Sequence, residues 1–221
     1  MGILQQIYKI NYIMITLTTN KNIAIDSLDH LYPFGVIRDN NSNSEYISEV
    51  KKYFNKKIKV MDLGCAGGQI IIDHLLSDDI AVGLEGSSNV FRGAGSHNWQ
   101  NYFNKNLFLC DITEPFDVKI DDKKELFDYI QMWEVLEHIP ENKLSTLFLN
   151  IKQHLDKNGI FCGSIATHIC PSGTHVSIFP KEKWQEIFKN NGLSLKEFIF
   201  KSLPRPVSEG NLGFVFTAQI L

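Results

Sequence analysis

The stretch Ile58-Lys59-Val60-Met61-Asp62-Leu63-Gly64-Cys65-Ala66-Gly67-Gly68 constrains this chain more than any other. Ile58, Val60, Met61 and Leu63 form a short apolar run closed by glycines, the pattern of a buried parallel strand entering a tight turn. Gly64, Gly67 and Gly68 let the backbone turn sharply and approach a ligand where a Cβ would clash. Helical spacing resumes from Gln69 to Leu76, so the loop ends at a helix N-terminus whose free N–H groups suit an anion. Strand, glycine loop and helix make the first half of a nucleotide-binding βαβ unit. An ordinary strand-to-helix turn has the same pattern, so the later motifs must decide.

A chain of 221 residues has room for one sizeable α/β domain with a short appendage. The division is an N-terminal extension over residues 1–54 and a nucleotide-binding domain over residues 55–221. A hydrophobic share of 43% and a net charge of −3 are ordinary for a soluble globular protein, and the acidic balance argues against a nucleic-acid partner. Lys51, Lys52, Lys56, Lys57 and Lys59 cluster as a solvated helix face would. None of the four cysteines forms C-x-x-C, which speaks against a zinc knuckle or disulfide framework and fits a reducing cytoplasm. Ile3 to Leu17 is moderately apolar, but Gln5, Gln6, Lys9 and Asn11 make it too polar to span a membrane. It reads as an extra strand, a frayed tail or a partner-binding arm.

Turn-rich His30-Leu31-Tyr32-Pro33-Phe34-Gly35 leads through Arg38-Asp39-Asn40-Asn41 to an amphipathic helix over Ser44 to Phe54. Tyr32 and Phe34 either plug one sheet edge or cap a substrate pocket. Ile80 to Gly86 is a second buried strand ending in Glu85, about 20 residues past the glycine loop. There a carboxylate can accept from both ribose hydroxyls, although a surface glutamate at a strand end is the plainer alternative. Asn89 to Phe103 reads as a helix with an irregular start, and Leu107 to Cys110 as a third strand ending at Asp111-Ile112. Asp111 either serves a ligand or caps the following turn.

Lys119 to Lys124 reads as a charged surface loop, and Phe127 to Trp133 as a fourth strand. Glu134-Val135-Leu136-Glu137-His138-Ile139-Pro140 follows directly, with Pro140 suited to a first helical turn. Leu144, Leu147, Phe148, Ile151 and Leu155 then repeat at helical spacing, and Asn158-Gly159 stops that helix. Ile160 to Ala166 is a fifth strand, with the loop Thr167 to Ser177 at its C-terminal end, where open α/β sheets place their ligands. A helix from Phe179-Pro180 through Phe188 precedes two last strands, Leu195 to Phe200 and Gly213 to Ile220. The stiff linker Leu203-Pro204-Arg205-Pro206 lies between them and could border a substrate.

Neither G-x-G-x-x-G nor Gly-Lys-Ser/Thr is present. The loop reads D-x-G-x-x-x-G from Asp62, and with the later E-V-L-E-H-I-P run it resembles class I S-adenosylmethionine-dependent methyltransferases over about residues 55–221. That resemblance implies a doubly wound α/β fold with a mostly parallel seven-stranded sheet whose last strand is antiparallel. It implies that Asp62, Gly64, Cys65, Ala66 and Gly67 hold the methionine end of S-adenosylmethionine, with Glu85 and Gly86 at the ribose. Asp111 would meet the adenine amino group and Ile112 the ring, and Trp133 is counted among the cofactor-binding positions.

The sulfonium is already an activated donor, so positioning supplies much of the catalysis, and a hydroxyl or amine acceptor also needs a base. His138, His168 and His175 stand at the right end of the sheet, and His175 and His138 are the catalytic candidates. His175 to Phe179 resembles an H-x-x-x-F segment of small-molecule methyltransferases, although a lone loop histidine is also an ordinary structural residue. Glu134, Glu137 and His138 have i, i+3, i+4 spacing, so one helical turn with His175 could hold Mg2+. That set resembles ubiquinone-pathway O-methyltransferases and small-RNA 3′-end methyltransferases. Relatives without metal carry the same run to brace the loop, and Mg2+ accepts imidazole reluctantly. The leading reading is methyl transfer to a hydroxyl or amine of a small molecule or glycan. An RNA-end methyltransferase and a non-catalytic cofactor-binding relative are the alternatives.

Overall fold

The computed structural model describes residues 13–207 and 212–221. The reading of residues 3–12 lies outside that range, whereas residues 15–17 fall in a strand. The chain runs through β1 (Ile15–Thr19), α1 (Leu28–Leu31), α2 (Phe34–Arg38), α3 (Ser44–Phe54), β2 (Lys59–Leu63), α4 (Gln69–Leu76) and β3 (Ile80–Glu85). It continues with α5 (Ser96–Tyr102), β4 (Leu107–Leu109), β5 (Phe116–Ile120), β6 (Lys123–Lys124), β7 (Phe127–Trp133) and α6 (Glu141–His154). The last elements are β8 (Leu155–Ala166), α7 (Lys181–Asn190), β9 (Leu193–Lys196) and β10 (Gly213–Ile220).

The large sheet has seven strands in the order β4-β3-β2-β7-β8-β10-β9. Pairing is parallel from β4 through β8, and β10 alone is antiparallel, to β8 on one side and β9 on the other. The sequence steps outward from β2 to β4 and then returns to β7 on the other side of β2. That reversal is the topological switch point, where open α/β sheets bind ligands beyond the carboxyl ends of their strands. It sets the glycine loop after β2 beside the Glu134–His138 turn after β7.

Burial explains the layering. Met61, Leu63, Ile130 and Met132 face one core with α6 and α7, whose Leu147, Phe148, Ile151, Trp184 and Phe188 close it. Val60, Tyr129 and Trp133 face the other with α3 and α4, through Tyr46, Val50, Ile70 and Ile71. Each fully buried large aliphatic or aromatic side chain contributes about 1.5–3 kcal/mol.

The structure corrects four sequence boundaries. Lys119 to Lys124 is no loop: β1, β5 and β6 form a separate three-stranded antiparallel sheet. Phe116, Val118 and Ile120 alternate inward, and left-handed Asp121 and Asp122 (φ 50° and 62°) make a two-residue hairpin turn. β8 starts at Leu155 rather than Ile160, with a register shift against β7 that absorbs the Asn158-Gly159 segment. The helix before it therefore ends at His154, ahead of those turn residues. β9 spans Leu193–Lys196, while Phe198 and Phe200 leave the sheet to pack on the second core.

The segment from Ala24 to Asp39 lies across the carboxyl ends of the strands. Ala24 N donates to Gly86 O (2.9 Å), Ala94 N to Ile37 O (2.7 Å) and Gly67 N to Asp39 O (2.9 Å). Asn89 Nδ2 donates to His30 O at 3.0 Å. Among the described residues no helix is long and apolar enough to cross a membrane.

Candidate active site

Gly64 turns the chain at φ 78°, and a Cβ there would stand 2.5 Å from Val135 Cγ2. Both facts demand glycine. The N–H groups of Gly64 and Cys65 donate to Leu84 O at 2.8 and 3.1 Å, and that of Ala66 to Glu85 Oε2 at 3.0 Å. Glu85 Oε1 also accepts from Ser87 N at 2.9 Å. Burial pushes the Glu85 carboxyl up to about 7, against those two backbone hydrogen bonds.

Two clefts open above the switch point. The larger, of about 550 Å3, is bounded by Tyr32, Phe34 and Val36 on one side and by Thr174, His175 and Pro206 elsewhere. The smaller, of about 260 Å3, includes Lys21, Gly86, Asp111, Ile112 and Pro140. Asp29, Gly64, Glu85, Val135 and His138 line both, so they form a waist between the two. Ala66 and Glu134 line the larger cleft.

Several expected site residues lie elsewhere. A Cβ on Gly67 would meet Asn40 Oδ1 at 2.4 Å, so its close approach is to the N-terminal segment. Cys65 is buried against Gly83 and lines neither cleft. Asp62 is buried beneath the loop, lines neither cleft, and is pushed up to about 8 by burial, against a hydrogen bond with Gln131 and with the Glu85 charge adding. Trp133 points into the second core, with Nε1 donating to Gln131 Oε1 (3.2 Å) and its ring edge-on to Tyr46 and Phe198. Only the Trp133 carbonyl reaches toward the cleft side, where the Arg205 guanidinium donates to it while pairing with Asp39.

Asp111 lines the smaller cleft, yet it also caps its own turn. Its Oδ1 accepts from Thr113 N (3.1 Å) and Thr113 Oγ1 (2.6 Å), and its Oδ2 lies 3.1 Å from Lys21 Nζ. Burial would raise this carboxyl, but Thr113 and Lys21 outweigh it and hold it below the usual range.

The E-V-L-E-H run does not form the expected α-helical face. Glu134 is left-handed (φ 52°) and Leu136–His138 is a single 3-10 turn, so Glu134 stands outside the cluster its neighbours make. One ligand atom each from Glu137, His138 and His175 lie within 4.8 Å of one another. Glu137 is fully buried: its Oε1 accepts from Ala166 N (3.0 Å), and its Oε2 has no hydrogen-bond partner among the described residues. Burial pushes this carboxyl up to about 8. His138 Nδ1 lies 2.9 Å from Asp29 Oδ2; burial pulls the imidazole down, but Asp29 and Glu137 more than offset it. His175 Nδ1 bonds to His168 O at 2.8 Å, and burial and the neighbouring His138 lower its pKa. His168 itself is tied to Leu212 O at 2.9 Å. Asp29 escaped the sequence reading as a site residue, since it meets its neighbours in the site only through the fold, whereas Arg205 and Pro206 of the stiff linker line the larger cleft.

A family model described as a methyltransferase domain matches residues 38–197. The chain belongs to the methyltransferase domain family. Its architecture is that of class I S-adenosylmethionine-dependent methyltransferases. The methyltransferase resembles the PH0226 protein of Pyrococcus horikoshii OT3, with a TM-score of 0.56 and 14% identity over 90% of this chain and 95% of that one. An S-adenosylmethionine-dependent methyltransferase from Clostridium acetobutylicum gives 0.58 and 13%, over 80% and 90%. The glycopeptide N-methyltransferase MtfA, complexed with S-adenosylmethionine, gives 0.55 and 12%, over 80% and 95%. No curated protein sequence matches the methyltransferase significantly.

Proposed function

We propose that this methyltransferase takes its methyl group from S-adenosylmethionine and delivers it to a hydroxyl or amine of a small molecule or glycan. The observation that carries this reading is the waist: residues at the switch point line both clefts, so a ligand in one reaches the other past Glu85 and His138. The adenosine fits the smaller cleft, with Glu85 accepting from the ribose hydroxyls and the Ile112 backbone and Asp111 bordering the ring. The methionine end and the acceptor fit the larger one, beside Gly64 and Ala66. Tyr32 and Phe34 offer flat apolar surface to the acceptor, and residues 1–54 serve as its cap. His138 and His175 are the groups able to take a proton from it. The decisive experiment gives labelled S-adenosylmethionine and fractionated lysate to the purified protein. Label in a small-molecule or glycan fraction supports the reading, and label confined to RNA overturns it.

The Glu137–His138–His175 cluster favours a second reading, in which a divalent cation helps bind the acceptor. The residues fit: Glu137 Oε2 is buried and unpartnered among the described residues, and the Nδ1–H of His175 given to His168 O leaves Nε2 with a lone pair. Two imidazoles and one carboxylate suit a transition cation better than Mg2+. Such an ion would supply Lewis acidity toward an acceptor oxygen. Loss of transfer on chelation, restored by Mn2+ or Zn2+, supports it; chelator-insensitive transfer overturns it.

A further inference from the structure

We propose that Lys21, paired with Asp111, reads the adenine ring of the donor and so selects an adenine nucleoside over other purines, an inference that rests on the methyl-transfer reading of the smaller cleft. Both residues line that cleft, and Lys21 Nζ lies 3.1 Å from Asp111 Oδ2. Lys21 belongs to the N-terminal extension and Asp111 to the turn after β4, so the extension supplies half of the pair.

Hydrogen-bonding capacity defines what the pair has left to offer. Asp111 Oδ1 is taken by Thr113 N (3.1 Å) and Thr113 Oγ1 (2.6 Å), so Oδ2 is the oxygen with a lone pair to spare beside Lys21. The Lys21 ammonium has three N–H donors, and its second carboxylate neighbour, Asp26 at 3.6 Å, is 88% exposed and holds it only weakly. The other lysine of the cleft, Lys143, is committed elsewhere, donating to Thr113 Oγ1 at 3.3 Å and pairing with Glu114. Nor is the ion pair needed to seat Lys21. Its carbonyl accepts from Asp111 N at 2.9 Å and its N–H donates to Thr19 Oγ1 at 3.2 Å, so the backbone is fixed whatever the side chain does.

The pair therefore presents an acceptor beside a donor. Adenine carries the complementary set, an exocyclic N–H donor flanked by ring nitrogens with lone pairs. Asp111 Oδ2 accepts from the amino group while Lys21 Nζ donates to a ring nitrogen next to it. In hypoxanthine and guanine a carbonyl oxygen replaces the amino group, so two acceptors would meet at Asp111. A site built on such hydrogen bonds rejects the mismatched analogue, because its own buried groups are left unpaired. Neutralising a buried carboxylate is the plainer role for Lys21, and that role alone makes binding independent of the ring nitrogens.

The test is calorimetric titration of the full chain with S-adenosylhomocysteine, with its two analogues in which carbon replaces N1 or N7, and with S-inosylhomocysteine. Wild type should bind one of the carbon analogues about 10-fold or more weaker than S-adenosylhomocysteine, the loss of a hydrogen bond to a charged group, and should reject S-inosylhomocysteine further. Lys21→Met should abolish the ratio between S-adenosylhomocysteine and that analogue, and Lys21→Gln, shorter and uncharged, should reduce it. The ratio reports the ring nitrogen alone, since any disturbance of Asp111 acts on both ligands equally. Equal binding of all three adenine ligands by wild type overturns the inference without any variant. An undiminished ratio in either folded variant also overturns it and leaves Lys21 as the counter-ion of Asp111. If wild type binds neither S-adenosylhomocysteine nor any analogue, the methyl-transfer reading itself falls, an outcome distinct from equal binding.

Discussion

Two histidine–aspartate pairs, each at 2.9 Å, stand at opposite ends of the same sheet. At the foot, His74 Nδ1 meets Asp79 Oδ2, and Asp79 Oδ1 accepts from Lys51 Nζ and from Ile58 N. Those donors come from the end of α4, the face of α3 and the entry to β2, so one carboxylate joins three elements where the strands begin. Both side chains are wholly inaccessible. At the top, the His138 and Asp29 side chains keep 16% and 33% exposure and border open clefts. The bonding differs: His74 Nδ1 is hydrogen-bonded to Asp79, whereas His138 Nδ1 faces Asp29 across the same distance without a hydrogen-bond partner among the described residues. The lower aspartate is saturated by donors from the framework, whereas the upper pair borders the two clefts. The first is an anchor of the framework.

The largest expected effect breaks the lower pair. Asp79→Ala leaves Lys51, His74 and the Ile58 N–H without their shared acceptor, and losing one partner of a buried ionic site costs about 3–5 kcal/mol. Denaturant unfolding should show this, and a loss near that of a surface substitution would remove the anchor role. The pH sense follows from the same contacts. Burial would raise the Asp79 carboxyl, but His74 and Lys51 hold it below its ordinary value. Its contribution is therefore present above the unfolded value of about 3.9 and is lost as pH falls through the lower folded value. The variant should lose less of its own stability than wild type over that acid range.

Next comes the ligand side of the contrast. Glu85→Gln keeps the size of the side chain but removes its charge, so S-adenosylmethionine binding should weaken by about 1.5–3 kcal/mol, read by calorimetric titration. Unchanged affinity would return Glu85 to a framework role like that of Asp79. Smaller again is Gly64→Ala, which places a Cβ 2.5 Å from Val135 Cγ2 at a φ of 78°. About 1–2 kcal/mol of folding stability should go with the left-handed backbone alone. Shortening the neighbour in Gly64→Ala/Val135→Ala should recover only the contact part, and full recovery would show that the backbone conformation costs little.

The same contrast explains what was legible in the sequence. The framework is written locally: apolar runs gave β2, β3 and β7, and helical spacing gave α3 and α6, because those patterns depend on near neighbours. The hairpin of β5 and β6 was hidden because its lysines point outward while Phe116, Val118 and Ile120 alternate beneath them. Trp133 was misplaced through strand parity. Tyr129, Gln131 and Trp133 share one face of β7, toward Tyr46 on α3, so the aromatic ring turns from the cleft even though its backbone ends beside it. The glycine loop and the strand end at Glu85 were legible because a tight turn after a buried strand constrains its own residues. Asp29 was not, since a single carboxylate in a turn-rich segment has no local signature and gains its partner only when the segment crosses the sheet.

The smallest effect sharpens the comparison most. If the upper pair is free for chemistry because the framework does not depend on it, Asp29→Asn should change folding stability by no more than about 1 kcal/mol, the range of a partly exposed ion pair. The sign of its pH dependence is opposite to that of the anchor. Burial lowers the His138 imidazole, but Asp29 and Glu137 leave it above its ordinary value. A raised histidine contributes stability fully below its unfolded value of about 6.5 and loses it as pH rises through the folded value. The difference between wild type and Asp29→Asn should thus be present in mildly acidic buffer and fade toward alkaline pH, while the Asp79 difference fades only in acid. Paired urea titrations across that range measure both. A large, pH-independent loss in Asp29→Asn would make the upper pair a second anchor and collapse the distinction.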